Sequence, residues 1–142
     1  MKWTIWVAAL LAVFSATGNS QAVGRQPQPF VIHRPTIVAF FPPVTESELN
    51  SDADTNEALS DFQLYADQVQ APLRKAGIDF HVANARSFKI RIGTTIRTFQ
   101  TGKDGVGYYL IAPGKRPQIE YGVMTNADLI DVARKYFGGA IQ

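Results

Sequence analysis

Thr36-Ile37-Val38-Ala39-Phe40-Phe41, halted by Pro42-Pro43, carries no charge and no alternation of polar with apolar residues. A strand that is apolar on both sides belongs in the middle of a covered sheet rather than at a wet surface. Downstream, Leu59, Phe62, Ala66, Val69, Leu73 and Ala76 recur at spacings of three and four, which lines up one face of a helix beginning near Glu57. Gly77 is a natural stop for it. Pro72 lies inside the pattern and predicts a kink or an early end near Ala71.

From Ile78 to Tyr121 the period changes to two. Ile78, Phe80 and Val82 share one side of a strand, and Phe88-Lys89-Ile90-Arg91-Ile92 alternates more cleanly still. Gly93-Thr94-Thr95 turns that strand into Ile96–Gln100. A three-residue turn sets Ile92 opposite Ile96 and Arg91 opposite Arg97, whereas a two-residue turn sets Ile90 opposite Arg97 and mixes the faces. The first is expected, because a wet face tolerates charge better than a core tolerates Arg. Tyr108–Ala112 and Gln118–Tyr121 flank Pro113-Gly114, the centre of a type II turn, and read as a closing hairpin. Thr125 then caps a last helix with Asp128 three residues on, Leu129, Ile130, Ala133 and Phe137 as its buried face, and Gly138-Gly139 as its end.

Outward from this body, residues 1–22 read as a secretory signal. Lys2 precedes an uncharged apolar run, Trp3 to Phe14, then a small polar stretch and Ser20-Gln21-Ala22, which suits a peptidase cut after Ala22. The apolar run is well short of the roughly 20 residues that a membrane span needs. The expectation is a periplasmic or secreted protein with no stable membrane span after signal removal. Residues 23–35, with Pro27, Pro29 and Pro35, read as an extended Pro-rich lead-in, and 36–138 as a single α/β domain. Between Glu46 and Asp67 lie seven acidic residues and no basic one, and the part from 44 to 56 reads as an acidic loop. Asp52-Ala53-Asp54 lacks the Gly and the closing Glu of a calcium loop.

The 142 residues hold 14 Lys+Arg against 12 Asp+Glu, a balance that argues against nucleic acid as the partner, and 46% hydrophobic content argues against a disordered chain. The absence of Cys removes disulfides, thiolate nucleophiles, Cys-ligated zinc and an N-terminal lipid anchor together. His33 and His81 are the only histidines, and they form no short-range pair of the kind a metal site uses. His81 is expected on the outward side of its strand. No Gly-x-Ser-x-Gly elbow and no phosphate loop is present. No cofactor, metal or catalytic residue is assigned.

After Asp67 the charge balance flips to Arg74, Lys75, Arg86, Lys89, Arg91, Arg97, Lys103, Lys115 and Arg116 against two acids up to residue 116. Under the expected register Lys89, Arg91 and Arg97 share one sheet face, with Phe99 as an aromatic anchor. These four are the candidate contact residues for an anionic envelope or extracellular partner.

Three segments together carry a resemblance: Thr36–Phe41, the helix with Gln70-Ala71-Pro72-Leu73 at its kinked centre, and Tyr108–Tyr121 followed by Gly122 and the helix 125–137. In this order the chain resembles the thioredoxin-like fold, as a cysteine-free member. The resemblance implies a mixed sheet with a strand-helix-strand start and a closing hairpin plus C-terminal helix. Residues 87–100 form an extra β-hairpin where that family commonly places a helix. Counted back from Pro72, the family's redox cysteines would fall within Leu64-Tyr65-Ala66-Asp67, and Gly105-Val106-Gly107 stands where its cis-proline usually is. Thiol–disulfide exchange needs a thiolate, so only the scaffold carries over. The expected role is an exported non-catalytic binding or structural module whose contact face is on strands 88–100. The alternatives are a small secreted inhibitor-type protein, or a hydrolase using His81 with a carboxylate.

Overall fold

A computed structural model describes residues 28–101 and 105–138. The expected signal, residues 23–27 of the lead-in and part of the turn after Thr101 lie outside the described residues. The elements are β1 (Phe30–Ile32), β2 (Thr36–Phe41), α1 (Glu46–Ser51), α2 (Ala53–Lys75), β3 (Asp79–Asn84), β4 (Ser87–Ile92), β5 (Thr95–Gln100), β6 (Gly107–Ile111), β7 (Gln118–Tyr121) and α3 (Asn126–Phe137). They build an α/β fold with two mixed, open sheets. One has the order β3-β2-β6-β7, with β2 parallel to β3 and antiparallel to β6; the other has the order β1-β4-β5.

All six residues of β2 are buried, as a strand apolar on both sides requires. Ile37, Ala39 and Phe41 face one core with Phe62, Val69, Leu73, Tyr108, Leu110, Leu129 and Ala133, which seats α2 and α3 on that side. Val38 and Phe40 face a second core with Ile32, Ala83, Phe88, Ile90, Phe99 and Ile111, which seats the three-stranded sheet on the other side. The order is therefore helices, four-stranded sheet, three-stranded sheet.

Most of the segment 44–56 is helical rather than a loop: α1 covers Glu46–Ser51 and α2 starts at Ala53. Thr45 and Glu48 form a capping box, in which each side chain takes up the other's free backbone N–H, and this starts α1. Asp52 ends α1 and starts α2 by accepting from the N–H groups of Asp54 and Thr55. Acidic residues in first turns match the helix dipole, so the charge that suggested a solvated loop serves helix starts. The helix α2 also passes through Pro72 to Lys75 rather than ending near Ala71. The lead-in is likewise part of the fold: β1 pairs parallel with β4, placing Phe30 opposite Ile90 and Ile32 opposite Ile92. Arg34 is ion-paired to Asp79, tying the β1–β2 link to the start of β3.

The closing elements follow the sequence expectation. Lys115 N–H donates to Ala112 O across the Pro113-Gly114 turn, and the Thr125 hydroxyl accepts from Asp128 N–H at the start of α3.

Candidate functional site

The β4–β5 hairpin decides where the cations point. Its turn holds two residues, Gly93-Thr94, so Phe88 pairs with Phe99, Ile90 with Arg97, Arg91 with Ile96 and Ile92 with Thr95. Gly93 has φ 58°, which suits the first central residue of a type II′ turn, whose twist matches a right-twisted hairpin. The expected pairing of Arg91 with Arg97 is thus replaced by the mixed register. Lys89 and Arg91 lie on the outer face with Ile96 and Thr98; Arg97 and Phe99 lie on the inner one. The four candidate contact residues do not form one surface.

Phe99 is buried, stacked on Phe88 at 5.6 Å and edge-on to Tyr109 at 4.9 Å. It is a core residue and no anchor for a partner. Arg97 is exposed although it shares a face with Ile90. It sits on the edge strand β5 near the turn, where a long stem can carry its head group into water.

What the inner placement does instead is bring Arg97 to a second turn. Ile92, Thr95 and Arg97 from the β4–β5 hairpin, with Ala112, Gly114, Lys115 and Arg116 from the β6–β7 turn, line a cleft of about 410 Å³. Three of these seven residues are cationic and none is acidic. The hairpin turn is held in place from the helix side. Tyr136 Oη donates to Arg116 O at 2.9 Å, and Lys115 Nζ donates to Tyr136 O at 2.8 Å while lying 5.6 Å from that ring's centre. A cation at the last turn of α3 is also favoured by the helix dipole. Lys115 is thereby partly spent on the fold. Arg97 and Arg116 have no carboxylate partner among the described residues. Two unneutralised guanidiniums converging on one cleft raise its potential and suit an anionic group that both can fork onto.

No family model, curated protein or solved structure matches this chain. The site therefore has to be read from its own chemistry.

His81 offers little catalysis. It lies on the β3 side shared with Val38, and the three-stranded sheet covers that side, so it is half-buried and not outward: its ring stacks on Phe30 at 5.1 Å and 24°. Its neighbouring carboxylate, Asp79, is engaged by Arg34. Among the described residues no group of three His, Asp or Glu is placed to hold a metal ion, and no helix is long and apolar enough to cross a membrane.

The buried imidazole does predict a pH dependence. Burial pushes the His81 pKa below its ordinary 6.5, and Asp79 only partly opposes this. The unfolded chain therefore takes up a proton first, and stability falls as pH drops below about 6.5 towards the depressed folded value. Asp79 is held below the usual carboxylate range by its bond to Arg34, so its contribution is lost only at more acidic pH. Urea midpoints of wild type should drop between pH 7.5 and 5.5, and His81→Phe should flatten that step while leaving the lower one.

Proposed function

We propose that this chain is an exported, non-catalytic binding or structural domain on a thioredoxin-like scaffold, and that it docks an anionic envelope or extracellular partner in the Arg97–Arg116 cleft. The scaffold reading is supported by the strand order β3-β2-β6-β7 with α2 and α3 on the same side. The β1-β4-β5 sheet covers the opposite side, as the extra hairpin would in place of a helix. The helix α1 starts at Glu46, five residues after β2 ends at Phe41, so a helix follows the first central strand closely. Leu64–Asp67, the stretch counted back from Pro72 for the family's redox cysteines, falls in the middle of α2.

One observation carries the docking site: three cations and no acid among the described residues lining a single cleft, held by the Lys115 and Arg116 contacts to Tyr136. Arg97→Glu with Arg116→Glu should weaken capture of the partner from envelope extract about a hundredfold, taking roughly tenfold for each lost charge-assisted contact. Both side chains are exposed, so the fold should survive. The matched variant Lys89→Glu with Arg91→Glu reverses charge on the outer face and should leave capture within a fewfold of wild type. Capture that ignores the first pair and collapses with the second would move the contact to the outer face.

A further inference from the structure

We infer that the free edge of β3 pairs antiparallel with the β3 edge of a second copy of this chain, joining two four-stranded sheets into one of eight. The argument is independent of the basic cleft.

Among the described residues β3 pairs only with β2, so its other side is a sheet edge. The direction of its backbone groups follows from the register. Asp79 stands opposite Thr36 and its N–H donates to Pro35 O, so Asp79, His81 and Ala83 spend their backbone groups on β2. In a parallel pair alternate residues bond to alternate sides. The N–H and C=O groups of Phe80, Val82 and Asn84 therefore point away from the sheet with no strand to receive them.

Native edges are usually guarded by charge, proline, a bulge or short length. Here β1 has three residues, β5 carries Arg97 and β7 carries Glu120; β3 carries a charge only at its first residue, Asp79, which is paired with Arg34, and Phe80-His81-Val82-Ala83-Asn84 has no guard beyond its histidine. Burial favours the neutral form of that histidine. Val82 is 44% exposed at the rim of an apolar groove with Phe41, Phe62 and Ala66. An edge whose one carboxylate lies at its end and is already paired, with an exposed branched side chain in its middle, is a template for another strand.

The choice of a second copy over a foreign peptide rests on self-complementarity. An axis at His81 pairs Phe80 of each copy with Val82 of the other, twice, on the same face. Both pairs are aromatic against β-branched, a favourable cross-strand combination, and the outward backbone groups of these residues exchange bonds. The flanking helices agree in charge. Asp67 lines the groove beside Val82, and Arg74 is close enough to lower the Asp79 pKa. Seven residues of helix cover about 10.5 Å and three residues of strand about 10 Å. The same axis therefore brings Asp67 of each copy to within about one strand residue, roughly 3.3 Å, of the level of Arg74 of the other. An isologous contact of this kind closes on itself as a two-fold dimer.

The processed exported chain should show twice its chain mass by light scattering across a dilution series, and Val82→Lys should shift it to the monomer. Ile96→Lys, at an equally exposed edge residue of β5, should leave the dimer intact. A second variant guards against misfolding. The chain has no Cys, so His81→Cys places a lone thiol directly across from its own copy, at the close Cα spacing of a non-hydrogen-bonded pair. Mild oxidation should convert it to a covalent dimer, while Thr98→Cys should stay monomeric on a denaturing gel. A wild type that stays monomeric at every concentration overturns the inference, as does a dimer that resists Val82→Lys or whose His81→Cys form does not crosslink. A monomer that instead binds an extended foreign peptide along β3 overturns the choice of occupant.

Discussion

Gly107→Ala is expected to destabilise the protein by about 3 kcal/mol, the upper end of what overpacking a core costs. A methyl at Gly107 would stand 2.4 Å from the Glu120 carbonyl oxygen, 2.7 Å from Phe40 Cζ and 3.2 Å from Phe40 Cε1. Neither neighbour gives way easily. Glu120 belongs to β7, which is paired to β6 through Tyr108–Glu120 and Gly107–Tyr121, so moving its carbonyl opens the closing hairpin. Phe40 is fully buried and fixed between Tyr109 at 5.3 Å and Tyr121 at 6.1 Å. Gly105, two residues earlier, is the control: a methyl there meets the Tyr121 ring, Cδ1 at 3.5 Å and Cε1 at 3.9 Å, both ordinary contacts. Gly105→Ala should stay within about 0.5 kcal/mol of wild type. In a Phe40→Leu background part of the Gly107→Ala loss should disappear and part remain, because the Glu120 oxygen is still in the way. Urea unfolding of the four variants measures this, and equal midpoints for Gly105→Ala and Gly107→Ala would remove the close approach.

The same tripeptide shows how far the sequence could be read. Gly105-Val106-Gly107 marks a place where small residues matter, but which glycine is indispensable depends on Phe40 and Glu120, far away along the chain. Local signals were legible where local chemistry decides: the β2 run, the face of α2, the Pro113-Gly114 turn and the Thr125 cap. The Thr45-x-x-Glu48 box and the Asp52 cap were equally local, yet the Ser, Asp and Asn around them weighed towards a loop. The strand β1 had no local signal to outweigh its prolines, because its three residues are ordered by pairing with β4, some sixty residues later.

The candidate site was legible as a list of cations but not as a place. Which face Arg97 takes turns on one residue of loop length at Gly93, since a one-residue slip reverses every side chain that follows. Phe99 went to the core with it. Lys115-Arg116, next to a well-read turn, was visible as an adjacent pair of positive charges. Its convergence with Arg97 depends on how the edge of one sheet lies over the turn of the other, a non-local fact. Alternation separates His81 from Phe80 but does not say that its side is solvent: the second sheet covers it, so the outward expectation fails.

Phe62→Ala should cost about 3–5 kcal/mol, the range for truncating a fully buried aromatic. Phe62 is completely buried and sits at 5.6 Å from Phe41 and 5.5 Å from Tyr108, so its ring joins α2 to both central strands of the four-stranded sheet. Truncation leaves a cavity bounded by rings that are themselves held by the sheet, so the site collapses poorly. The helix has little to fall back on. Pro72 removes one of its internal hydrogen bonds, and its polar face is rich in acid, so its packed face is what stabilises it. Leu64, two residues on, is 52% exposed. Leu and Ala have similar helix propensities, so Leu64→Ala should change stability by no more than about 0.5 kcal/mol. A domain of this size has a total of about 5–15 kcal/mol, so Phe62→Ala should remove about a fifth of it or more and shift the urea midpoint accordingly, with Leu64→Ala overlaying the wild type. Equal losses in the two variants would mean that α2 does not rest on the sheet through the face that Phe62, Val69 and Leu73 define.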